Sequence, residues 1–579
     1  MRRRRALIPL ALAALAAGLV APAVPQAARA ATQAPATMSL AGSAVEDTAS
    51  GNARTIDVPG GGYAVVRSFG EVSLVGPSGA TRWQADTQQL YKDWDLTWQN
   101  PDGVTEYPQL SWGTDPVDPL DFTGAGSGLV NDVNPAAAGV LDGRPVVAVA
   151  ETVGATMTAS FCPNCTWPFS VPGSGIHLGT FVSVLDVRTG RMLYHEVDPG
   201  YVTQVAIAGN RLIIGDEDGD PLTDNGIGQW GSVSTVRALD IVDNGTARQA
   251  WEYSTHVPWG RLLDVSVTGG GAGSPGPGQG VALAWSDTPL GLGVPGPPDG
   301  HVMLFDAATG AIRWQVRTPG YPVLTAADDQ RGELAVVQQA DPALSAGYTL
   351  TGLSYATGQT VLASERDGAL PFSLAVGRGR DDGWAVGAVD ATMAGGYYDP
   401  AGGRVTLTDP ATGRDLWSDT LPASAEYGAP MPGGLLVTGG EVIAGSWLGG
   451  TTPTAAAPLQ QENSVTAFGY QTGRTQWRQA GDTGDPISLS AVTGGPGVAR
   501  AVTSHQDVAT YGASGQMTQE TAGPGDFLSG ATASISAPGR TDLVAGNENG
   551  DVYAFDGRAL AAGNQRVLWR AHLPGPVQD

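Results

Sequence analysis

Short apolar runs recur along the chain from about residue 53 onward, each ended by a turn rich in Gly, Asp, Asn or Pro. Within them apolar and polar positions alternate with the period of a strand, and helical spacing is nearly absent. The clearest stretch is Leu543 to Ala545, a turn over Gly546 to Gly550, and a second run from Asp551 to Phe555 that ends at Asp556. The pattern predicts strand, tight turn, strand, with few helices anywhere.

The strands come in copies. Leu304 to Trp314 (LFDAATGAIRW) is matched by Leu407 to Trp417 (LTDPATGRDLW) and by Ala467 to Trp477 (AFGYQTGRTQW), where Gly469 replaces the Asp. Leu185 to Tyr194 keeps the plan with Tyr in place of Trp, and Leu74 to Trp83 is the earliest copy. Looser copies run from Leu239 to Trp251, Leu353 to Leu362, Val508 to Gln519 and Phe555 to Trp569. The repeat ends therefore fall near 83, 194, 251, 314, 362, 417, 477, 519 and 569, spaced by 42 to 63 residues from 194 on and by 111 between 83 and 194. A fixed period of this length marks a repeat architecture.

Each conserved feature of the copies has a physical role. The Asp side chain can accept from backbone N–H groups of the turn that follows. The Gly supplies a positive φ. The closing aromatic, at Trp83, Trp251, Trp314, Trp417, Trp477 and Trp569, is large enough to fill the space between adjacent sheets. Three to four short strands per unit describe a propeller blade, which cannot bury its faces until the ring does so. The expected fold is all-β: one propeller of four-stranded antiparallel blades over residues 53–577, eight in number, with seven and nine as alternatives. Loop insertions are expected at about 85–130, 155–178 and 268–298.

The pattern Ala-x-Asp-x-x-Thr-Gly-x-x-x-Trp resembles the repeat of the pyrroloquinoline quinone (PQQ) propeller superfamily. That superfamily includes quinoprotein dehydrogenases and BamB-type outer-membrane assembly factors, and the wider propeller class extends to WD40 and YVTN proteins. The resemblance spans most of the chain and is carried best by 304–314, 407–417, 467–477 and 543–569. It implies a scaffold rather than a site, because the repeat builds the ring and not the chemistry. The dehydrogenases of the superfamily place a disulfide of two adjacent Cys against PQQ. Here Pro163 and Asn164 separate Cys162 from Cys165. Position 166 is Thr, so the Cys-x-x-Cys-His pattern of c-type haem attachment is absent.

The N-terminus changes the picture of where the chain works. Arg2 to Arg5 precede an apolar stretch from Ala6 to Val20, and Ala28-Arg29-Ala30 fits a cleavage site, so residues 1–30 read as a signal peptide and 31–52 as a flexible leader. Secretion, or retention in the cell envelope, follows. In an oxidising compartment Cys162 and Cys165 read as a small disulfide. The Arg-rich signal with 83 Gly and 41 Pro resembles secreted proteins of high-GC actinobacteria. No other run is long enough to span a membrane. The formal charge of −25, nearer −30 once the five arginines of the first 29 residues are removed, repels phosphate backbones and argues against nucleic acid.

Candidate chemistry is sparse. Asp216, Asp218 and Asp220 have the alternate spacing of a calcium loop, but Pro221 and Ile227 stand where such a loop has Gly and Glu, so a solvated turn is the plainer reading. His177, His195, His256, His301, His505 and His572 show no metal-binding spacing. The aromatic run Tyr91 to Trp98 either lines a binding face or packs an inserted segment. No nucleophile elbow and no phosphate loop is present. The expected function is a non-catalytic, monomeric extracellular scaffold that binds a protein or carbohydrate at a propeller face, without a cofactor. The alternatives are a diverged dehydrogenase using PQQ and calcium, and an enzyme acting on an extracellular polysaccharide.

Overall fold

A computed structural model describes the chain from Ala36 to Leu573 with breaks, the longest at 41–53, 113–135, 157–174, 218–233, 287–299 and 448–462. Everything described lies in the compact unit Gln33–Asp579. The fold is all-β, a single propeller of antiparallel blades. Seven regular four-stranded blades, rather than the eight expected, follow one another without interruption from Tyr201 to His572. They span 201–254, 261–318, 321–367, 369–420, 431–481, 486–522 and 527–572. Ahead of them lie a three-stranded sheet (Ala64–Ser68, Glu71–Val75, Thr81–Asp86) and a five-stranded sheet built on Arg144–Thr156. These two irregular sheets are why counting hairpins overstates the number of regular blades. All nine predicted hairpins exist, and their closing residues sit in the outermost strand of each sheet.

The first strands of successive blades touch side by side and line the middle of the ring. The ring closes through the N-terminal segment. Ala36–Leu40 pairs with Arg54–Val58 on one side and with Phe527–Ala533 of the last blade on the other. Arg54–Val58 in turn touches Ala136–Leu141 of the five-stranded sheet. The stretch read as a leader therefore contributes a strand. Likewise Gly280–Ser286, inside the expected insertion at 268–298, is a strand buried along its whole length. The described residues contain one short helix, Gly557–Ala561, capped by Asp556.

Where side chains are described, the second and third strands of the blades are covered on both faces by the neighbouring blades. That is why they read as continuous apolar runs rather than alternating ones. Val146 to Ala150, Leu212 to Ile214 and Leu334 to Val337 are examples, each residue at most 1 % exposed. Outer strands such as Ile312–Thr318 and Asp415–Thr420 alternate, and their buried position holds an aromatic, Trp314 and Trp417.

The outer Trp of one sheet is fastened to the last turn of the next. Trp83 Nε1 donates to Val187 O at 2.9 Å, Trp251 to Ala307 O at 3.0 Å, Trp314 to Tyr355 O at 2.9 Å and Trp417 to Tyr470 O at 2.7 Å. Each acceptor directly follows the Asp, Ser or Gly that opens the turn. In the turn itself Asp306 Oδ1 accepts from Ala308 N and Thr309 N at 3.1 and 2.9 Å, and Asp186 Oδ1 binds Arg188 N and Thr189 N in the same way. The turn glycine then lies flat on the indole of the preceding sheet. A Cβ on Gly473 would sit 2.5 Å from Trp417 Cγ, and one on Gly310 would sit 2.4 Å from Trp251 Cγ. Where Leu362 replaces the Trp, Gly413 has more room, with 3.4 Å to Leu362 Cγ.

Two outcomes follow for stability. Trp417→Phe keeps a buried ring but removes the hydrogen bond to the Tyr470 carbonyl, and should cost about 1 kcal/mol. Trp477→Phe should cost less, because the Trp477 indole N–H has no acceptor among the described residues and the ring is held by stacking on Tyr511 at 5.6 Å. Thermal melts of the pair, compared with the parent, measure the difference. In the same assay Gly473→Ala (φ 65°) should lower the melting temperature far more than Gly245→Ala (φ 82°). Both carry the backbone strain of a positive φ, about 1–2 kcal/mol, but a Cβ on Gly245 meets nothing within 4 Å.

Candidate functional site

The last blade carries an open hollow of about 490 Å³ lined by Asn549, Asp551, Arg570, Ala571 and His572. That volume is in the range of small-ligand sites. It lies where the third strand (Asp551–Phe555) begins and the fourth (Val567–His572) ends. Strand register builds it. Asp551 stands opposite His572, and Tyr553 opposite Arg570. Side chains two apart on a strand share a face, so these four residues form one patch.

The turn ahead of the patch is fixed by Asn547, which is fully buried. Its Oδ1 accepts from Asn549 N at 3.1 Å and from Asp551 N at 2.9 Å. Asp551 is thereby placed with its carboxylate turned under the sheet surface, only 6 % exposed. Its two oxygens take one partner each. Arg570 Nη2 donates to Oδ2 at 2.8 Å, and His572 Nδ1 lies 3.2 Å from Oδ1. A carboxylate only accepts, so Nδ1 of His572 is the protonated nitrogen in this contact. The Arg570 guanidinium also rests over the Tyr553 ring, 5.2 Å from its centroid.

Burial pushes the Asp551 carboxyl upward, but the hydrogen bonds from Arg570 and His572 outweigh it and hold the group below the ordinary carboxylate value. Ion pairs elsewhere join neighbouring sheets. Glu196 binds Arg237 at 2.6 Å, and Arg366 pairs with Asp415. Asp306 is held low by Arg313 at 2.8 Å within its own blade. At Asp240 burial again opposes, and Arg248 and Arg211 prevail.

Sequence reasoning singled out other residues. Asp216 lies not in a turn but in the strand Arg211–Glu217, where it is buried and accepts from Thr235 Oγ1 at 2.5 Å. Asp218, Asp220, Cys162 and Cys165 lie outside the described residues, as does most of the aromatic run from Tyr91. Among the described residues no group of three His, Cys, Asp or Glu is placed to hold a metal ion. Trp83, Trp251, Trp314, Trp417, Trp477 and Trp569 are all buried between sheets and none lies in the hollow. Asp551 and Arg570 were not singled out, and His572 appeared only among scattered histidines. The signal was present as Asp-x-Tyr facing Arg-x-His across one hairpin.

The acid response of this patch can be measured. Because folded Asp551 titrates below its unfolded value of 3.8, its contribution to stability is complete above that pH and fades as pH falls through the lower folded value. Arg570→Gln removes the first of the two groups that lower it. Melting temperatures followed from about pH 6 to about pH 2 should fall less on acidification in that variant than in the parent, because the gap between the folded and unfolded values is narrower.

Residues 233–463 match the family model described as outer membrane protein assembly factor BamB. The matched stretch lies within the run of regular blades. No curated protein matches the sequence. The chain is also similar to solved structures. BamB from Moraxella catarrhalis is 16 % identical, with 60 % of this chain and 86 % of that one covered at a TM-score of 0.34. The quinohemoprotein alcohol dehydrogenase ADHIIG from Pseudomonas putida HK5 is 15 % identical, with 75 % of each chain covered at 0.36. Chaetomium thermophilum Sqt1, bound to the N-terminus of ribosomal protein L10, is 14 % identical, with 68 % and 90 % covered at 0.39. Among the described residues no helix is long and apolar enough to cross a membrane.

Proposed function

We propose that this PQQ-type propeller is a secreted or envelope-held, non-catalytic scaffold that binds a protein partner on the face bearing the Asp551 hollow. The observation that carries the reading is how the repeat spends its polar groups. The Asp side chains of the turns are bonded to their own turn, and four of the indole N–H groups to the neighbouring sheet. What these repeats do is hold a ring. At the hollow the polar side chains are directed outward, Arg570 at 55 % and His572 at 71 % exposed. Faces of a rigid ring present turns from every blade, and such turns are where binding residues concentrate. The N-terminal Arg-rich and apolar segments support export, and the BamB-type match supports an envelope setting.

Site-specific photo-crosslinking in intact cells tests this. A photoreactive residue at Asn549, beside the hollow, should give discrete protein adducts. One at Val361, exposed on an outer strand and remote in sequence from the hollow, should not. The scaffold reading is overturned by adducts that are equal at both positions. It is equally overturned if the purified protein, supplied with PQQ and calcium, oxidises alcohols or sugars through an artificial electron acceptor.

A further inference from the structure

We propose that the hollow of the last blade is a carboxylate-binding site, and that its ligand is an acidic segment of the partner chain. The proposal rests on the scaffold reading and deepens it. Its basis is the way a guanidinium and an imidazole are mounted on one buried anion.

Asp551 sits beneath Arg570 and His572 and gives an oxygen to each. One partner would satisfy a carboxylate of this burial. Two hold a guanidinium and an imidazole side by side, with the anion behind them and solvent in front. Arg570 has five N–H donors. Among the described residues, one of its side-chain nitrogens, Nη2, is bonded, and the Tyr553 ring fixes the plane of the group from beneath. The outer nitrogens of the fork are therefore oriented before any ligand arrives, and a planar fork matches a carboxylate in two-point contact. His572 spends Nδ1 on Asp551, which leaves Nε2 on the exposed side of the ring. Asn549 forms the remaining polar wall.

The chain carries 56 acidic against 31 basic residues, so its surface repels acidic peptides in general. Capture of an acidic segment thus depends on a local set of aimed donors rather than on the overall field.

The test is calorimetric titration of the full-length secreted protein with three probes: a capped oligoglutamate peptide, an oligolysine of equal length, and sodium acetate. Oligoglutamate should bind, oligolysine should not bind at the hollow, and acetate should bind much more weakly than the peptide. Arg570→Gln should weaken oligoglutamate binding at least tenfold, and Arg570→Lys should recover part of the loss, since it restores charge without the fork. Circular dichroism and melting temperature report whether each variant folds. If Arg570→Gln does not fold, His572→Gln, at a more exposed position, carries the same comparison. The proposal is overturned if oligoglutamate fails to bind, if it binds the glutamine variant as tightly as the parent, if oligolysine competes with it, or if acetate matches the peptide. Crosslinked adducts at Asn549 that persist unchanged in Arg570→Gln would end the carboxylate reading while leaving the scaffold reading in place.

Discussion

The ring depends on an indole lying between two sheets. On one side its N–H reaches a carbonyl of the neighbouring sheet's last turn, and on the other a glycine of that turn presses against the ring. Trp251 with Ala307 and Gly310, and Trp417 with Tyr470 and Gly473, show the arrangement in full. Each part needs the others. The glycine is required because a Cβ would collide with the indole, and the opening Asp is useful because it shapes the turn that brings the glycine there. A blade is therefore not an independent unit. It has an outer aromatic that only its neighbour can satisfy, and a last turn shaped to receive another blade's aromatic. The rest of the core, with middle strands covered on both faces, follows from sheets stacked this closely.

The same interaction explains how much of the fold could be read from the chain. Trp, Asp and Thr-Gly recur at fixed offsets because the contact demands them, so all nine hairpins were visible and their outer strands lie where the residue pattern places them. Elements that do not take part in this contact were harder to see. Ala36–Leu40 has few large apolar residues and works by backbone pairing, so it reads as leader. Gly280–Ser286 follows a run of Gly and Pro that reads as loop, although its own residues are those of a buried strand. The number of regular blades was misjudged for a related reason. The two sheets nearest the N-terminus keep the hairpin signal but depart from four strands in sequence order.

The hollow was illegible for a different reason. Its chemistry lies in the register between two strands, not in a local motif. Asp551 and His572 are opposite one another only because the strand pairing of the last blade runs as it does, with a register shift at Ala554 and Phe555 where the short helix enters. A scan for spaced histidines or carboxylates along the chain has no access to that relation. The mobility of the donors is also restrained by features no linear pattern marks, namely Asn547 under the turn and Tyr553 under the guanidinium.

One consequence lies in the sheet that joins the two extremes of the described chain. Met38 stands opposite Ala533 in the last blade, so the closing seam is made between segments separated by almost the whole polypeptide. Contacts of such long range carry a large loop-closure entropy and form late. A chain emerging from the ribosome or from an export channel therefore carries an open arc with two unsatisfied blade faces until its final strands arrive. Sealing of the ring waits for Phe527–Ala533, and a chain cut short before that strand would keep both sticky ends exposed to its neighbours.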